Sequence, residues 1–78
     1  MIKSGGLYKY FRDVHVWDQP ITDRNHDFPN HIDTIGKDDN LVLLQIIATF
    51  DYYYDCKVLT KNGIIGYVAI HKDGIKSC

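Results

Sequence analysis

The most legible rhythm of the chain has a period of two and lies in the C-terminal half. "LVLLQIIATF" (41–50) is a run of Val, Leu and Ile interrupted at Gln45, with "GKDDN" before it and Asp51 after it. Its length and turn-like flank predict a long, largely buried strand in preference to a helix. "YYYDCKVLT" (52–60) alternates, with Tyr54, Cys56 and Val58 on one face and Tyr53, Asp55, Lys57 and Leu59 on the other. Asn62-Gly63 then offers two residues that tolerate positive φ, which predicts a type I′ hairpin turn into an antiparallel return strand, "IIGYVAI" (64–70). Gly66 within that strand predicts a bulge or a sharp bend. Asp73-Gly74 is a second turn, and "IKS" after it is a short closing strand or tail.

Upstream, "VHVW" (14–17) is strand-like and halted by Pro20, and "HIDTI" (31–35) alternates, with Ile32 and Thr34 on one side and Asp33 and Ile35 on the other. Between them "DQPITDRNHDFPNH" (18–31) holds two prolines, two asparagines and several charges, the composition of one long loop. Loops of such length in compact domains are often functional. No internal repeat or low-complexity segment interrupts the chain. The expectation is an all-β single domain over 1–78, a small, partly open barrel of five or six strands.

At 78 residues the core is thin, leaving roughly 3–5 kcal/mol of stability, so a surface binding site is easier to build than a deep catalytic pocket. Nine basic against ten acidic residues give a formal charge of −1, which argues against nucleic acid as main ligand despite the basic cluster Lys3, Lys9 and Arg12. Two cysteines, Cys56 in a predicted strand and Cys78 at the end, do not make a disulfide framework. The start "MIKSGGLYKYF" has no apolar leader segment, and no run is long enough to span a bilayer. These features lead us to expect a reducing, cytoplasmic setting and no membrane partner.

Beyond the alternation, several segments resemble the bacterial SH3-like (SH3b) family. Val16-Trp17-Asp18-Gln19-Pro20 matches its opening V-x-x-x-P, "IDTIGKDDNLVLL" (32–44) is similar to its IGT-L-x-x-G segment and long strand, and "YYYDCKVLTKNGIIGYV" to its aromatic-led strand, turn and G-W-V, with Tyr67 in the Trp place. The resemblance spans about residues 14 to 75 and implies an SH3-like barrel. It also implies a cell-wall or peptide-binding targeting role as an alternative function. "GLYKYF" (6–11) superficially resembles the A-L-Y-D-Y segment of eukaryotic SH3 domains, but the paired tryptophans of their proline-binding groove are missing.

Candidate chemistry is sparse. His26 and His31 with Asp23, Asp27 and Asp33 fall in one eleven-residue window, a donor set suited to zinc, but H-x4-H in a loop fixes no geometry and no metal site is assigned. Cys56 could meet His15 or His71 as a nucleophile with its base, yet its strand face predicts a buried thiol. No nucleophile elbow, P-loop or dinucleotide fingerprint occurs, and the expectation is a protein without enzymatic activity or cofactor.

The aromatic set carries more. One Trp, six Tyr and three Phe include three consecutive tyrosines, so alternation sends at least one of Tyr52, Tyr53 and Tyr54 outward. Tyr52 and Tyr53 are open between packing and interface, whereas Tyr67 and Trp17 are assigned to the core. Phe28, flanked by Asp27 and Pro29, and Arg24 are the loop's candidate anchors, because few aromatics and arginines carry most interface energy; Phe28 is equally open to folding back as a plug of the barrel end. Tyr52, Tyr53, Phe28 and Arg24 are thus the expected partner-binding residues. The function expected is a stand-alone adaptor or inhibitor that occludes a partner protein, of the kind phages and mobile elements direct against a host.

Overall fold

Strand follows strand wherever polar and apolar residues alternate. The computed structural model describes residues 2–20 and 29–78. Seven strands form there: β1 (Leu7–Tyr10), β2 (Val14–Trp17), β3 (His31–Ile35), β4 (Asn40–Thr49), β5 (Tyr53–Thr60), β6 (Ile65–His71) and β7 (Ile75–Ser77). All pairings are antiparallel, in one sheet ordered β3-β2-β6-β5-β4-β1-β7 that curls into a half-barrel, and no helix occurs among the described residues. Strands β3 and β7 are its open edges.

The inner face gathers Ile2, Tyr8 and Tyr10 of the N-terminal segment with Val16, Ile35, Leu41, Leu43, Cys56, Val58, Val68 and Ile70, all buried. The two tyrosines use their hydroxyls as they close the barrel: Tyr8 Oη accepts from the Lys3 N–H at 2.8 Å and Tyr10 Oη from the His71 N–H at 2.9 Å. Strand β4 is long enough to serve two neighbours, pairing Leu41 to Thr60 and Thr49 to Tyr54 on one side and Val42 to Leu7 on the other. Irregularities between Leu43 and Gln45 and between Ile46 and Ala48 interrupt its register with β5, and bulges of this kind bend and coil a strand.

Three local expectations change. The β5–β6 loop is a three-residue loop: the Gly63 N–H donates to Thr60 O at 3.0 Å, the Thr60 N–H to Ile64 O at 2.9 Å, and only Gly63 takes positive φ (79°), not Asn62. That is a type I turn followed by a left-handed glycine, in place of type I′. Gly66 is not a bulge, since it sits in regular register opposite Val58. Its missing side chain makes room for β2 instead: a Cβ there would lie 2.4 Å from Val16 Cγ1 and 2.8 Å from the Trp17 carbonyl oxygen. The third change is β1, a strand not foreseen, in which the tyrosines point inward and Leu7 lies exposed, the reverse of a hydropathy-based reading. The closing strand β7 then pairs with β1, Tyr10 facing Ile75.

Candidate interaction surface

The β4–β5 hairpin turns through Asp51 and Tyr52, closed by the Phe50 N–H donating to Tyr53 O at 2.9 Å. Alternation divides the tyrosines that follow. Tyr54 turns inward against the core, with the Lys72 ammonium 5.2 Å from its ring centroid. Tyr53 turns outward and stacks on Phe50, centroids 4.6 Å apart and planes 18° from parallel. Tyr52 belongs to neither face and stands at the tip, 78% exposed, its carbonyl accepting from the Lys72 N–H.

Tyr53 lies directly across from His71. His71 in turn lines a cleft of about 490 Å³ with Phe11, Arg12, Asp73, Gly74 and Lys76. Phe11 is 48% exposed, with the Arg12 guanidinium 4.9 Å from its ring centroid. A neighbouring cleft of about 460 Å³ shares Phe11, Gly74 and Lys76 and adds Lys9 and Lys37. Lys9 and Lys76 are direct cross-strand partners in β1 and β7, an arrangement of like charges that costs stability unless something of opposite sign covers it. The hairpin tip and the clefts thus adjoin through His71, presenting aromatic rings and cations side by side.

Of the four expected partner-binding residues, Tyr52 is exposed and Tyr53 half-buried. Phe28 and Arg24 lie outside the described residues, as do Asp23, His26 and Asp27 of the histidine-rich window. Sequence reasoning missed Phe11, Lys37 and Lys76, which come together only because β1 pairs with β7 on one side and meets β4 and the turn before it on the other, and which had no local signal. Tyr67 and Trp17 are not core residues, as was expected of them. They face each other half-buried on the outer face, β6 to β2, because Val16 and Val68 take the inward positions of the same strands.

Cys56 is the buried thiol expected. Burial first, then the neighbouring Asp55 charge, pushes its pKa up to about 12, so at neutral pH it supplies no thiolate. Asp55 is itself almost wholly buried on the face of β5 that it shares with Tyr53, Lys57 and Leu59, between Ala48 and Ala69 of the flanking strands.

Asp33 is not gathered with histidines. Its carboxylate is held below the ordinary range first by the Thr60 hydroxyl, then by the Thr34 N–H, with Asn62 and the His31 charge adding to it. His31 turns instead to His15 on β2, their Nε2 and Nδ1 atoms 3.3 Å apart, and both rings pack near Trp17. Among the described residues no group of three or more His, Cys, Asp or Glu side chains converges, and no helix is long and apolar enough to cross a membrane. No family model matches the chain, and neither a curated protein nor a solved structure matches it.

Proposed function

We propose that the chain is a non-catalytic protein-binding module, an adaptor or inhibitor that works by covering part of a partner's surface. The observation that carries this reading is Tyr52, a large aromatic side chain held 78% exposed at the hairpin tip beside the Phe50–Tyr53 stack. Burying tyrosine gives large rigid contact area at small entropic cost, with a hydroxyl to orient it, and interface cores are enriched in it. The adjoining Phe11 and Arg12 extend the same surface with the residue types that dominate binding energy. The SH3-like kinship, a cytoplasmic setting and an origin in phage or a mobile element, directed against a host protein, belong to the same reading.

The test is affinity capture from a bacterial lysate with the tagged wild type and with Tyr52→Ala and Tyr53→Ala, followed by light scattering of the purified complex. Expected is one protein in fixed stoichiometry with the wild type, weakened in both variants although their melting curves stay cooperative. Capture that is equal in all three, or absent, overturns the assignment; recovery of cell-wall fragments favours the targeting role instead.

A further inference from the structure

Three donor atoms meet where β2 lies against the edge strand β3. His15 Nδ1 and His31 Nε2 are 3.3 Å apart, Thr34 Oγ1 is 2.8 Å from His31 Nε2, and it is 3.5 Å from His15 Nδ1. Sheet register explains the meeting. His15 lies across from Thr34 and Trp17 across from His31, and a register shift between Val16 and Trp17 leaves one extra residue on β3, which brings His31 to the same face as Thr34 and His15. Both imidazoles are exposed and the hydroxyl is half-buried.

Two edges of the triangle these atoms form, His15 Nδ1 to His31 Nε2 and His15 Nδ1 to Thr34 Oγ1, have the length of a zinc tetrahedron's edge, and the third, from His31 Nε2 to Thr34 Oγ1, is a 2.8 Å hydrogen bond that metal binding replaces. With bonds of about 2.0–2.1 Å, a tetrahedral ion holds its ligand atoms about 3.3 Å apart, whereas adjacent ligands of a square-planar or octahedral ion of the same bond length are about 2.9 Å apart. We propose that His15 Nδ1, His31 Nε2 and the Thr34 hydroxyl form a surface site for a divalent, imidazole-seeking cation of tetrahedral preference, zinc foremost, with water in the fourth position. The two imidazoles supply the affinity and the hydroxyl fills the third corner. Each ring carries its proton on the outer nitrogen, His15 on Nε2 and His31 on Nδ1, a tautomer pair set by the metal. The ion clamps β3 to β2, its strand neighbour among the described residues. This site is independent of the protein-binding surface proposed above.

The single tryptophan of the chain is placed to report on it, Trp17 lying 5.8 Å from the His15 ring and 5.6 Å from the His31 ring. Zinc chloride titrated into the wild type, followed by calorimetry and Trp17 fluorescence, is expected to show saturable one-to-one binding and a raised melting temperature, since a ligand of the native state stabilises it. Binding is expected to be lost in His15→Ala and in His31→Ala, reduced in Thr34→Val and unchanged in His71→Ala. Imidazole nitrogen NMR of the zinc-bound wild type is expected to identify Nδ1 of His15 and Nε2 of His31 as the ligating atoms. No saturable binding overturns the proposal; so does binding that survives both histidine variants, or ligation through the opposite nitrogens.

Discussion

The two faces of β5 draw on similar residue types and put them to opposite use. Inward stand Tyr54, Cys56, Val58 and Thr60; outward stand Tyr53, Asp55, Lys57 and Leu59. The inward set meets Val68, Ile70 and the α-carbon of Gly66 on β6 at packing contact. The outward set meets Ile65, Tyr67, Ala69 and His71, which leave Tyr53 and Leu59 half in water. A tyrosine is core or interface according to the parity of its position, not its chemistry. The largest expected effect therefore lies on the inner face where space runs out. Gly66→Val must seat its Cβ against Val16 Cγ1, the Trp17 carbonyl and Ile32 Cδ1, all within 3 Å. The carbonyl belongs to backbone and cannot rotate away. Overpacking against side chains that can shift costs about 1–3 kcal/mol; here the backbone must move as well, so the loss is expected to exceed the roughly 3–5 kcal/mol that a domain this small holds, and far-UV circular dichroism is expected to show no cooperative melting transition. A variant that melts like the wild type would mean that β2 does not pack on Gly66.

Leu43→Ala probes the same face by emptying it. Leu43 is fully buried opposite Val58, and truncation of a buried leucine costs about 2–5 kcal/mol. Leu59→Ala on the outward face of β5 is expected to cost well under half as much, because Leu59 is only half-buried. Urea denaturation of the pair measures the contrast directly; equal losses would mean that the outer face is also covered.

Much of this division was legible in the chain. The strand at 41–50 follows from its length, its branched residues and its turn-like flank, that at 52–60 from alternation and that at 64–70 from the turn before it, and the buried position of Cys56 follows from the parity of 52–60. What was not legible depends on pairing between distant segments. Strand β1 hid because its inward residues are tyrosines and its outward Leu7 is apolar, so hydropathy pointed the wrong way. Lys37 and Lys76 meet Phe11, and His15 meets His31, only once the order β3-β2-β6-β5-β4-β1-β7 is known. Gly66 was recognised as special for the wrong reason, because a lone sequence shows that a side chain is missing but not which neighbour fills the space. Trp17 and Tyr67 were assigned inward on bulk alone, whereas register sets them outward.

A smaller effect is expected at the rim where the faces meet. Thr60 Oγ1 accepts from the N–H groups of Asn62 and Ile64, and its hydroxyl is the largest influence lowering the Asp33 pKa. A carboxyl whose folded pKa is depressed contributes stability above its unfolded value, near pH 4, and loses it as pH falls through the folded value. Asp33→Asn removes that contribution. The variant is expected to melt below the wild type at pH 7 by less than Leu43→Ala does, and the gap is expected to narrow as the pH falls below about 4. A gap that stays constant over this range would show that the Asp33 charge does not stabilise the β5–β6 turn.

The smallest effect on folding is expected where the proposed effect on binding is greatest. Tyr52 sits between the two faces, at a turn whose backbone is closed by Phe50 and Tyr53 and anchored by the Lys72 N–H on its own carbonyl. None of those bonds uses its side chain. Tyr52→Ala is therefore expected to shift stability by no more than about 0.5 kcal/mol, the range of surface substitutions away from special features. Tyr53→Ala should cost somewhat more, since a stacked aromatic pair contributes about 0.5–1.5 kcal/mol beyond its buried area. Denaturant midpoints for the two variants rank them. If Tyr52→Ala destabilised the protein as much as Tyr53→Ala, its ring would be packing against the sheet, and an aromatic already engaged within its own molecule could not serve as the free anchor the binding proposal requires.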